Sequence, residues 1–185
     1  MRLLAVLVLA AVVYGSPACL VLSVHPVYAG SPASIDNRLL GRWQDAETGS
    51  VANIRAGEWK SYRVTFTDRT GTITLIAFET SIGTVRLLDL TLEGGLENSL
   101  ILLPLHAICR IALAGDTLTI TPIDYDRLVA LGADNGRGPI RYTIDDRKNV
   151  VLTSDTTPLS SWLQQHLATP GFFDPAVVFT RMPGD

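Results

Sequence analysis

Cysteine is nearly absent from this chain: its 185 residues contain two, Cys19 and Cys109. Once Cys19 is removed or acylated no internal disulfide can form, so stability has to come from an apolar core. Cys109 sits in the apolar pattern "LHAICRIAL", where a buried hydrophobe is expected rather than a nucleophile. Charge is missing from one long stretch, since no residue between Arg2 and Asp36 carries any. No basic block occurs either, which argues against nucleic acid and against an anionic membrane surface as partners. The chain also lacks a Gly-x-Ser-x-Gly elbow, a His-Glu-x-x-His pair, a Cys-x-x-Cys pair and a phosphate-cradling glycine loop before a helix. "GADNGRGP" is rich in glycine but follows a helical pattern, precedes a strand and has no Lys-Ser/Thr, so it reads as a loop. With three histidines, His25, His106 and His166, on separate elements, no metal site and no cofactor are expected.

What is present begins with the N-terminus. Arg2 precedes "LLAVLVLAAVV", eleven apolar residues, which suits the core of an export signal and is too short to span a membrane. Val27 and Ala29 are small residues three and one before Gly30, an A-x-A-like cleavage pattern. "SPAC" offers a second reading, with Cys19 as a lipidation site. A third joins both apolar runs, Leu3 to Val24, into a retained anchor. All three put the body of the protein outside the cytoplasm, periplasmic or secreted, and allow membrane contact only through this segment. The expected division is a signal peptide at 1–29, a linker at 30–36 and one domain at 37–185. Removal of the first 29 residues leaves 156, with 14 basic and 18 acidic side chains. That length suits one domain with its own core.

The body alternates with period two. "YRVTFT" places Tyr62, Val64 and Phe66 on one face, and "TITLIAF" follows after the turn "DRTG", which predicts a hairpin. "TVRLLDLTL" comes next. "LILLPLHAICRIAL" should be divided at Pro104, because proline cannot donate to a sheet ladder. "DTLTITP" pairs with its second half, "IRYTID" and "NVVLT" flank "DRK" as another hairpin, and "AVVFTR" predicts a final short strand. Two short helices interrupt the pattern. Asp124 caps "YDRLVALG", which ends at Gly132; Thr157 and Pro158 open the second, which Pro170-Gly171 closes. Leu159, Trp162, Leu163, His166 and Leu167 form a helical apolar stripe that should cover the outside of the sheet.

The sum is a mainly β chain: about eight strands, two helices and a last strand. The first strand, "LLGRWQDA", carries Gly41-Arg42-Trp43. This resembles the Gly-x-Trp opening of the lipocalins, and the resemblance implies an antiparallel lipocalin-like barrel whose Trp43 closes the base. Arg181 in "VFTRM" is then the arginine expected over the indole face, a cation–π pair. The chain also resembles bacterial secreted proteins and lipoproteins that open with an "LLGRW"-like strand. They close with a "VLTS…TTPLSSWLQQHL"-like segment.

Asp89 in "RLLDLTL" stands out as a carboxylate in an apolar strand. If it points inward it needs a partner, Arg110 or Arg86; otherwise it faces solvent. Asp89, His106 and Arg110 are thus the candidate ligand-binding residues, and no catalytic residue is assigned. The leading expectation is a non-enzymatic domain that binds a small apolar ligand or a lipid in the barrel. The alternative is a structural or assembly protein of the cell envelope that works through protein contacts. A third reading is a hydrolase or isomerase with Asp89 and His106 as acid and base.

Overall fold

A computed structural model describes residues 20–28, 34–93, 104–132 and 138–184. In chain order its strands are β1 (Val21–Ser23), β2 (Gly41–Asp45), β3 (Val51–Ala56), β4 (Tyr62–Asp68), β5 (Gly71–Ile82), β6 (Val85–Leu92), β7 (His106–Ala114), β8 (Thr117–Pro122), β9 (Tyr142–Ile144), β10 (Val150–Leu152) and β11 (Val177–Arg181). Two helices, α1 (Tyr125–Gly132) and α2 (Thr156–His166), and one short 3-10 helix, Asn37–Leu39, complete the described elements. Strands β2 to β8 pair in succession, and β11 fits between β8 and β2. All eight pairings are antiparallel, so the sheet closes into an eight-stranded barrel with no free edge around its ring.

The alternation of the sequence sets which side chains fill the barrel. Tyr62, Val64 and Phe66 of β4 point inward and are buried, as do Trp43, Ile54, Leu75, Ala77, Leu88, Leu90, Cys109, Ile111, Leu118 and Phe179. Burial pushes the Cys109 thiol up to about 12, with the Asp89 and Asp174 carboxylates adding to the effect, which leaves it inert as a nucleophile. The turns follow from local chemistry: Asp68 Oδ1 accepts from the Thr70 and Gly71 N–H groups at 2.7 and 3.0 Å, an Asx-type turn between β4 and β5.

A second apolar cluster lies on the outside of the barrel. Leu87 and Ile108 face outward from β6 and β7, and α1, α2, β1 and β10 cover them with Leu128, Leu159, Trp162, Leu163, Val21, Val150 and Leu152. Strand β1 runs parallel to β10 and antiparallel to the start of β7. Ala107 pairs with both Leu90 and Leu22, and Cys109 with both Leu88 and Pro122, so β1 continues the edge of β7 where β8 leaves it.

The barrel, its strand class and the two helices match the expected fold; the membership differs. Val51–Ala56, which the alternation did not mark, is a barrel strand. The hairpin β9–β10, expected within the barrel, lies in the outer layer. Helix α2 starts at Thr156 with Asp155 in the cap position, so Pro158 is its third residue, and it ends at His166, before Pro170. Residues 20–28, assigned to the signal, form β1 and a strap; Ile35 and Asp36, assigned to the linker, pack against the barrel. The segment "LILL", Leu100–Leu103, lies outside the described residues. Among the described residues no helix is long and apolar enough to cross a membrane.

Candidate functional site

One end of the barrel is closed. The 3-10 helix crosses it, and the Trp43 indole N–H donates to Leu39 O at 2.9 Å. The Arg181 guanidinium stacks on Trp43, 4.1 Å from the ring centre. The same guanidinium donates to Leu40 O at 2.7 Å, to Arg38 O, and to Asp116 Oδ1 at 3.1 Å. Gly41 is required beneath it, because its φ is +128° and a Cβ there would lie 2.7 Å from Arg181 Nη1. The three residues picked out by the Gly-x-Trp resemblance therefore meet at one place.

Beside them the closed end carries a polar plug. Tyr62 and Glu79 project from the inward faces of β4 and β5 below the last barrel layer. The Tyr62 hydroxyl donates to Glu79 Oε2 at 2.9 Å and accepts the Asp36 N–H at 2.7 Å. Arg86 bridges Glu79 Oε1 at 2.7 Å and Asp36 Oδ2 at 2.9 Å. Arg38 adds a two-point pair to the Asp36 carboxylate. These arginine hydrogen bonds, Arg38's foremost, hold Asp36 down to about 2. Burial, with the Glu79 and Asp36 charges, pushes the Tyr62 phenol up to about 12. Such a network is stabilising only when every member is satisfied, as here. None of these five plug residues was anticipated as a site, Arg86 being considered only as a partner for Asp89; Glu79 in the strand run "TITLIAFETSI" was the signal available, a carboxylate at an inward position.

The opposite end differs. Ile73, Leu92, Ala107, Ile120 and Val177 are inward positions on this side that pack on the core and are only partly buried. The rim is apolar except at Asp45 on β2.

Asp89 and His106 come together, but on the outside of the barrel. Asp89 faces outward from β6 and is 1% exposed, covered by the strap that follows β1. Its Oδ1 lies 2.6 Å from His106 Nδ1 and its Oδ2 accepts the Val27 N–H at 2.7 Å. Neither expected environment holds: Asp89 is neither inside the barrel nor in solvent, and its partner is neither Arg110 nor Arg86. The shared outward face brings His106 to it, two residues from its register partner Ile108. Arg110 instead lies 4.3 Å over the Phe173 ring. The Asp89–His106 pair can hold a proton and orient an imidazole; buried Ser23, the register partner of His106, has its hydroxyl engaged by His25 O at 2.7 Å, and among the described residues no group of three metal-ligating side chains occurs. His166 stacks on Trp162 at 4.5 Å and His25 lies 3.5 Å from Asp155. Cys19 is outside the described residues.

Compared with known protein families, with curated proteins and with solved structures, the chain matches none.

Proposed function

We propose that this chain is a non-enzymatic, extracytoplasmic, lipocalin-like domain that takes a small apolar ligand or lipid chain at the mouth opposite Trp43. The observation that carries this reading is the partial ring of partly buried apolar residues toward that mouth, Ile73, Leu92, Ala107, Ile120 and Val177, which Asp45 interrupts on β2. The deeper interior is filled by buried side chains, which favours a shallow seat for the tip of a ligand over a fully enclosed one. Burying an apolar chain end against this ring contributes about 25 cal/mol per Å² of surface removed from water. A fluorescent fatty-acid analogue titrated into the protein should bind saturably. Ile120→Asp should weaken it at least about tenfold, or ~1.4 kcal/mol. Absence of saturable binding by the unaltered protein rejects the reading.

A second reading, an envelope protein that acts through protein contacts, is favoured by Trp59. Trp59 and Lys60 occupy the centre of the β3–β4 turn with φ of 56° and 62°, and Trp59 is 85% exposed. A bulky residue at positive φ costs stability that Asn-Gly would avoid, and such strain tends to be kept where it serves contact. Crosslinking in the envelope that yields one recurrent protein partner, lost in Trp59→Ala, selects this reading over the first.

A further inference from the structure

Residues 20–28 are held from several sides. The Leu20 carbonyl accepts from Val150 N–H at 2.8 Å, and Leu20 N–H donates to Asn149 Oδ1 at 3.1 Å. Val24 N–H donates to Leu152 O at 2.9 Å. Helix α2 then fixes the strap, with Thr156 Oγ1 donating to Pro26 O at 2.8 Å and Ser160 Oγ to Val27 O at 2.6 Å. Val21, Leu22, Ser23 and Val27 are all buried. A cut after Ala29 would detach this segment from the chain. It would leave Val27's apolar site open, one oxygen of the buried Asp89 without its N–H donor, and the edges of β7 and β10 unpaired.

We propose that the leader is instead removed after Ala18, so that the mature protein starts at Cys19 and keeps β1 and the strap. Ser16 and Ala18 are small residues three and one before that bond. They follow the apolar run Leu3–Val13 by a few residues and give a leader of ordinary length, within about 15–30 residues. The second apolar run, "CLVLSV", which a cut after Ala29 leaves stranded between the leader's apolar core and the cleavage point, is then accounted for as the segment that supplies β1, Val21–Ser23. In the step itself water adds across the Ala18–Cys19 peptide bond, leaving a carboxylate on Ala18 and an amine on Cys19. A membrane-bound peptidase of the export machinery supplies the catalysis. This inference rests on the export reading above and is independent of what the mouth binds.

The experiment is the intact mass of the protein recovered from the cells that make it, with their envelope and cytoplasm analysed separately. A species spanning 19–185 is expected, with or without added acyl mass on Cys19. An envelope species that starts at Gly30 overturns this inference and leaves export standing. A full-length species in the cytoplasm overturns both. As a second readout, Ala18→Arg should accumulate full-length precursor while Ala29→Arg leaves the mass of the remaining chain starting at Cys19; the reverse pattern overturns the proposal.

Discussion

Trp43 and Trp162 anchor the two apolar clusters, and their surroundings differ. Trp43 is inside the barrel, with its N–H on Leu39 O and its face under Arg181. Trp162 is outside, packed against His166 and Phe172, and its buried Nε1 has no hydrogen-bond partner among the described residues. The inner cluster is lined mostly by hairpin neighbours, β2 through β8, each strand paired with the next. The outer cluster is assembled from residues 21–27 and 123–172, which meet over β6 and β7. The barrel could therefore be specified by local pattern, whereas the outer layer depends on contacts between distant parts of the chain. The two are nevertheless one unit, because β6 and β7 contribute alternate side chains to both: Leu88 and Cys109 inward, Leu87 and Ile108 outward.

The largest effects should come from emptying either cluster. Trp43→Ala and Trp162→Ala should each cost about 3–5 kcal/mol. Both should leave a single unfolding transition, followed by near- and far-ultraviolet circular dichroism in denaturant. A separate early transition in Trp162→Ala alone would make the outer layer an independent unit and break the argument from β6 and β7. Replacement by phenylalanine sharpens the comparison. Trp43→Phe loses a made hydrogen bond, whereas Trp162→Phe loses an N–H that has no partner, so the second should cost less by about 1 kcal/mol.

The next effect tests the latch between the strap and the barrel. Asp89→Ala removes the acceptor of both the Val27 N–H and His106, and should destabilise by about 3 kcal/mol or more. His106→Ala leaves Asp89 buried with one partner fewer and should also destabilise. The double variant should cost clearly less than the sum of the two, which a double-mutant cycle in denaturant measures. Additive losses would mean that the pair does not act as one.

Legibility in the sequence divides along the same line. The inner faces of β4 and β8 could be read from strict alternation, whereas the meeting of Gly41, Trp43 and Arg181 was expected only from the resemblance of β2 to a Gly-x-Trp opening. Strand β3 escaped because its inward residues are Ala52 and Ile54, and one alanine dilutes the apolar period. Strands β9 and β10 were visible as a hairpin, but a three-residue alternation does not say which sheet the hairpin joins. "LVLSV" read as leader because a short buried strand and an export segment share one composition. Asp89 was recognisable as anomalous, yet its environment depends on Val27, 62 residues away. No local pattern carries that information.

A smaller effect tests the closed end of the inner cluster. Gly41→Ala puts a methyl group where Arg181 Nη1 lies and forces an L side chain to φ +128°. About 1–3 kcal/mol should be lost, read as a lower melting temperature. A cost below about 0.5 kcal/mol would mean that Arg181 moves freely and is not packed on Trp43.

The smallest effect belongs to the seam where the outer layer returns to the barrel. Asp124 N–H donates to Phe172 O and Asp174 N–H to Pro122 O, both at 3.0 Å, around the bridge between Ile123 and Phe173. That pairing sets the two carboxyl groups side by side, with Asp124 already accepting the Arg127 N–H at the start of α1. Burial, followed by the hydrogen bond to Asp124 and its charge, raises Asp174 to about 6. The folded protein therefore binds the Asp174 proton more tightly than the unfolded chain does, whose carboxyl titrates near 3.8. Stability from this group is full below about pH 4, declines as pH rises to about 6, and is flat above that. Asp36, held down to about 2, has the opposite slope in a separate window, losing its contribution as pH falls from about 4 to about 2. Asp174 is partly open to solvent, so screening should keep its effect below about 1 kcal/mol. For a chain of this size that is a shift of about 2–4 °C in melting temperature. Asp174→Asn can still donate to Asp124 without a charge. Its melting temperature minus that of the unaltered protein should therefore rise between pH 4 and 6 and then level off. A difference that stays constant across that range would show that the two carboxyl groups do not share a proton.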